Sequence, residues 1–272
     1  MTYRTILLQL TDDTGNEARL RAALELSRRF GAVLVALHVT PPPIVPVGYG
    51  EGAAYVGPEI VEVQREAAKA VAERLEATFR RVCEPGSGAI WRHLEGDPGE
   101  CLAQLARTAD LTIGPRFEAR GIDALALQPI EQAALAAGGP VLVVPSEGFS
   151  PELGRRVLVG WNGRKEAARA LKDALPFLRS ALAVEVVTVG EEGADSLDGA
   201  LALLERHGVA AAGRRLPGSG NVGADLLARM GELGADLLVM GIYSHTRLRQ
   251  LVLGGATRHV LQHATGAISF SC

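Results

Sequence analysis

The sequence predicts an α/β protein built from two tandem, doubly wound parallel-sheet domains. Three observations predict it. The chain matches itself at a fixed offset, short apolar runs alternate with amphipathic helical stretches, and runs such as Leu237-Leu238-Val239 are apolar without alternation. Strands buried on both faces by flanking helices have that last pattern.

The first strand is Leu7–Asp12, and a helix follows from Glu17 to Phe30. Val33–Val39 forms the second strand. Residues Pro41–Pro58 hold five prolines and four glycines and read as an inserted loop. A long helix comes next, with Val63, Ala67, Ala70, Val71 and Leu75 on one face. Gly96-Asp97-Pro98-Gly99 opens another helix, Ala109–Ile113 is a strand, and Pro140–Val144 is the last strand of this half.

The second half repeats the plan. Val157–Asn162 lies over Leu7–Asp12, and Ala183–Val189 over Val33–Val39, both at an offset of 150 residues. Between them the helix Ala167–Leu178 carries Ala170, Leu171, Ala174, Leu175 and Leu178 as its apolar stripe. Further on the offset falls to 126, because the first copy contains the insertion: Ala235–Val239 matches Ala109–Ile113, and Gly266–Phe270 matches Pro140–Val144. The domains are expected over 1–148 and 154–272, divided near Glu147–Gly154. The final strand of each copy would end as a bare sheet edge, which proteins normally cover or pair.

Composition removes several classes of partner. With 28 basic and 31 acidic residues among 272, the chain lacks the basic footprint of a duplex binder. At 4% aromatic it lacks stacking platforms for single strands. No run approaches the ~20 apolar residues that span a bilayer. Cys83, Cys101 and Cys272 are odd in number and widely spaced, so no disulfide framework or Cys-x-x-Cys pair is expected. A cytoplasmic protein that contacts neither nucleic acid nor membrane is the expectation.

The segment Met240–Thr257 carries the chemistry. It leaves a buried strand and runs into a helix, where ligands of doubly wound sheets bind. Gly241, Gly254 and Gly255 allow close backbone approach, and the free amides opening the helix suit an anion. Here the chain resembles the universal stress protein family, whose signature is Gly, two residues, Gly, nine residues, Gly, then Ser or Thr. The segment reads Gly241, two residues, Ser244, nine residues, Gly254, Gly255. The resemblance covers the whole chain twice, as in a tandem member of this stress-response family, and implies an adenine-nucleotide alpha-hydrolase-like fold whose two copies pair through their final strands as a pseudo-twofold unit, with further homodimerisation an open alternative.

The resemblance further implies an ATP pocket in the second half, with Mg²⁺ as a companion. Asn162 takes the place of a ribose-holding Asp, Val189 borders the adenine, and Met240 and Gly241 flank base and ribose. Ser244, Gly254, Gly255, Ala256 and Thr257 cradle the phosphates, with His245 beside them and Arg247, Arg249 and Arg258 as added positive charge. Ser244 for Gly, Gly255 for Ser/Thr and Asn162 for Asp are departures, and together they weaken the expected grip by about tenfold or more. In the first half Asp12 remains, but Pro115-Arg116-Phe117 and Gln128-Pro129 replace the glycine segment, so no triphosphate is expected there.

Other motifs have plainer readings. Gly218-x-Gly220-x-x-Gly223 matches a dinucleotide fingerprint but follows the third strand of its copy, so it reads as a turn and helix start. His259 and His263 share a helix face without a third ligand, and read as solvated. No nucleophile–base pair, nucleophile elbow or P-loop is present, so no catalytic residue is assigned. The expected function is sensing or storage of an adenine nucleotide. The alternatives are a nucleotide-free interaction protein with decayed pockets, whose protein partner the sequence does not identify, and a slow ATP hydrolase.

Overall fold

The computed structural model describes residues 2–44, 58–116, 128–145, 150, 152–242 and 255–272. Its first half contains β1 (Thr5–Leu10), α1 (Asn16–Phe30), β2 (Val33–Thr40), α2 (Pro58–Val82), β3 (Ile90–Glu95), α3 (Pro98–Ala106), β4 (Leu111–Pro115), α4 (Pro129–Ala136) and β5 (Val141–Val144). The second contains β6 (Arg156–Gly160), α5 (Lys165–Asp173), α6 (Leu175–Leu178), β7 (Ala183–Val189), α7 (Leu197–Arg206), β8 (Ala212–Leu216), α8 (Val222–Leu233), β9 (Leu237–Gly241), α9 (Gly255–His263) and β10 (Ala267–Ser271). No described helix is long and apolar enough to cross a membrane.

The ten strands among the described residues form one sheet in the order β3-β2-β1-β4-β5-β10-β9-β6-β7-β8. Neighbours within each half are parallel, whereas β5 and β10 run antiparallel, with Leu142 opposite Ser269. The two halves thus share one ladder. Helices cover both faces, which is why strand residues are apolar at successive positions: Ile6 and Leu8 enter one core and Leu7 the other. Both cores run through residues of both halves.

The same lock closes each half. Asp110, just before β4, accepts the Arg4 and Thr5 amides at 2.8 Å. Asp236, just before β9, accepts the amides of Gly154, Arg155 and Arg156 at 2.8, 3.0 and 3.2 Å. Across the junction Tyr3, Phe30 and Phe177 meet edge to face, with ring centroids 5.0–5.7 Å apart. The Tyr3 hydroxyl donates to the Asp173 carbonyl at 2.7 Å, and Arg29 donates to the Leu153 carbonyl at 2.7 Å.

Two expected elements differ. The helix read as Ala167–Leu178 breaks after Asp173 into α5 and α6, because Pro176 has no amide to continue the ladder and sits instead in the first turn of α6. The apolar face expected on α2 is buried only toward its C-terminal end, at Leu75 and in part at Val71. Val63 is 68% exposed, and Ala67 and Ala70 are exposed too, whereas Ala72, Leu75 and Phe79 are buried. A 25-residue helix is ~37 Å long, against ~20 Å for a six-residue strand. Its N-terminal turns therefore overhang the sheet.

Candidate functional site

In each half the sequence-successive strands step outward from β1 to β3, or from β6 to β8, and the next strand lands on the other side. That reversal opens a crevice at the carboxyl ends of β6 and β9. A cavity of about 110 Å³ lies there, walled by Gly160 at the end of β6 with Trp161 and Asn162 just after it, Val187 and Val189 from β7, Met240 and Gly241 from β9, and Ala256 from α9. Glu192 and Leu226 complete its rim.

Five of the ten residues expected in a ligand site are therefore neighbours here: Asn162, Val189, Met240, Gly241 and Ala256. Gly255 opens α9 as an exposed residue with open space where a side chain would stand. Thr257 is placed differently. Its side chain is fully buried, off the cavity wall, and its hydroxyl finds no partner among the described residues. The first amides of α9 have no carbonyl partner within the helix. Ser244, His245 and Gly254 lie outside the described residues, as do Arg247 and Arg249, residues 45–57 of the inserted loop and residues 147–149 and 151 of the domain division.

Local bonding explains the shape of the crevice. Asn162 Oδ1 accepts the Arg164 amide at 3.2 Å, which uses part of its acceptor capacity to turn the chain into α5. Trp161 Nε1 donates to Ser196 Oγ at 3.0 Å, tying the β6 loop to the β7 loop. Gly193 has φ 78°, and a Cβ there would stand 2.5 Å from the Asn162 backbone, so the two loops meet only through glycine. Arg164 and Glu192 pair at the rim. Gly241 is equally constrained, since a Cβ would stand 2.5 Å from the Glu166 carbonyl carbon. Trp161, Glu192 and Leu226 were not anticipated; only the position of Trp161 beside Asn162 could have signalled it.

The glycine pattern near 220 behaves as a helix start. Asn221 caps α8 by accepting the Ala224 amide at 3.1 Å, and Gly223 lets α8 lie against Ala256 and His259 of α9. His259 and His263 stack at 4.2 Å on α9, and Asn221 bonds His259 Nδ1 at 3.2 Å.

The equivalent place in the first half has lost its anion chemistry. Asp12 pairs with Arg74 of α2. At α4, Pro129 has no amide, and Gln128 and Glu131 cap each other reciprocally, with the Gln128 amide 3.0 Å from Glu131 Oε2. Next to it His38 is buried, its Nδ1–H donating to the Leu10 carbonyl at 3.2 Å. Burial holds its pKa below the usual imidazole value, reinforced by His93 and opposed by the Leu10 bond and Asp12. The unfolded chain thus binds a proton the folded chain resists. The stability His38 contributes is complete above about pH 6.5 and is lost as pH falls below it, by at most ~1.4 kcal/mol per unit. Thermal melts from pH 7.5 to 5 are expected to fall more steeply for the wild type than for His38→Gln; parallel curves would contradict a neutral imidazole.

The comparisons with known proteins concern the fold. A family model described as the universal stress protein family matches residues 2–145. No curated protein sequence matches the chain. The chain is similar to the crystal structure of a universal stress protein from Archaeoglobus fulgidus, with a TM-score of 0.75 at 17% identity, covering 98% of this chain and 95% of that one. It is also similar to a functionally unknown protein from Pseudomonas aeruginosa, with a TM-score of 0.61 at 15% identity, covering 99% and 92%.

Proposed function

Because the chain belongs to the universal stress protein family, we propose that it is a cytoplasmic sensor or store of an adenine nucleotide, bound as ATP in its second half. The observation that carries this reading is the convergence of Asn162, Val189, Met240, Gly241 and Ala256 on one crevice beside the start of α9. About 110 Å³ is small against the ~300–1,000 Å³ that encloses a whole drug-sized ligand. It fits a ring held between Val189 and Met240, with the charged part of the ligand outside, toward Gly255 and the α9 amides.

Calorimetric titration with ATP, with and without Mg²⁺, tests the reading. Saturable heat and a raised Tm support it. No heat and no shift at millimolar ATP would leave a nucleotide-free interaction protein, and phosphate release above a blank would instead favour hydrolysis. Asn162→Asp is expected to tighten ATP about fivefold, because a carboxylate takes charge-assisted bonds from ribose hydroxyls where the amide oxygen is already shared with Arg164. Unchanged or weaker affinity in that variant would remove Asn162 from the site.

A further inference from the structure

The larger cavity at a switch point belongs to the half without the glycine segment. About 400 Å³ opens at the carboxyl ends of β1 and β2, within the range of small-molecule pockets. Its walls are apolar, with Leu10, Val39, Val71, Ala68, Pro98 and Pro129. It shares Thr40, Pro41 and Ala68 with a second hollow of about 660 Å³ between α2 and β3.

Two of the side chains lining it are polar and buried, Gln9 and His38. Gln9 is only 5% exposed, and its Oε1, closed to solvent, has no hydrogen-bond partner among the described residues. It rests over Gly114, where a Cβ would approach that oxygen to 3.0 Å. A buried carboxamide with an unmet acceptor is costly unless something bonds it. His38 is the second. Because Nδ1 carries the proton given to Leu10, its Nε2 is a bare acceptor. Fixed charge is cancelled at the mouth, where Asp12 pairs with Arg74, and at the α4 terminus Pro129 has no amide while the Gln128 amide is taken by Glu131.

We propose that the first half is a second ligand site, taking an uncharged, largely apolar ring compound that donates an N–H or O–H to His38 Nε2. The site is independent of whether the second half binds nucleotide. Its chemistry is the converse: an acceptor in place of donors, and no attraction for phosphate.

Indole is a suitable probe, with 1-benzothiophene as the same ring without a donor and indole-3-acetate as its anionic form. Titrated into the full chain and followed by amide chemical shifts and calorimetry, indole is expected to saturate and to move Leu10, Val39 and Val71. It should bind at least ~fivefold more tightly than either relative. His38→Phe keeps an aromatic ring without its acceptor and is expected to shrink the preference for indole over 1-benzothiophene. Ala68→Phe fills the cavity and should abolish binding of all three, with circular dichroism confirming the fold. The proposal is overturned if indole fails to saturate at millimolar concentration, if the three probes bind alike, or if Ala68→Phe leaves binding unchanged. ATP is read separately, at the Val189 and Ala256 amides, so either site can fail without the other.

Discussion

Gly241→Val is expected to unfold the protein or to lower its stability by at least ~3 kcal/mol, measured by urea denaturation against the wild type. Gly241 ends β9, where α5 crosses so closely that a Cβ would stand 2.5 Å from the Glu166 carbonyl carbon and 2.6 Å from the Ala167 nitrogen. Those are backbone atoms, and no rotamer change moves them. Relief requires lifting α5 off β9 and exposing Ala167, Ala170 and Leu171, all buried. Gly241→Ala adds the same first atom and should be nearly as damaging. A variant that melts within a degree of the wild type would show that the contact is loose.

Phe177→Ala ranks second, at an expected loss of ~3–5 kcal/mol. Phe177 is fully buried in α6 and packs against Tyr3 and Phe30 of the other half, at ring-centroid distances of 5.7 and 5.2 Å. The guanidinium of Arg29 lies 5.9 Å from its ring. Its loss opens a void into which Tyr3 cannot turn freely, since the Tyr3 hydroxyl is bonded to Asp173. Because the rings join the two halves, both are expected to melt together in the wild type and to separate into two transitions in the variant. A single transition with a loss under ~1 kcal/mol would show that the β5–β10 ladder alone holds the junction.

The parallel α/β architecture was readable because strands covered on both faces are apolar at successive positions, as Leu237–Val239 is. The repeated offsets then placed Asp110 and Asp236 at matching turns. The buried face of α2 was readable only toward its C-terminal end, at Val71 and Leu75. Val63, Ala67 and Ala70 have the spacing of a core stripe, but the helix outruns the strands beneath it, and helix length relative to the sheet is a tertiary fact. The crevice near Asn162 was legible through Gly241 and Val189, which follow from the motif and the offset. Trp161 and Glu192 belong to it only because Gly193 brings two loops together, a contact without sequence period. The first-half cavity was invisible for a related reason: Gln9 sits inside an apolar strand, and nothing in the order of residues shows that its amide oxygen goes unmet.

The antiparallel seam of β5 and β10 has a consequence for communication. Strands in the two halves point in opposite directions, so their carboxyl ends, and the two cavities beside them, open on opposite rims of the molecule. No small compound can bridge them, and a protein docked over one mouth leaves the other free. Any influence of one occupant on the other must cross the junction, through the seam where Leu142 faces Ser269 or through the contacts of Tyr3 and Phe30 with Phe177.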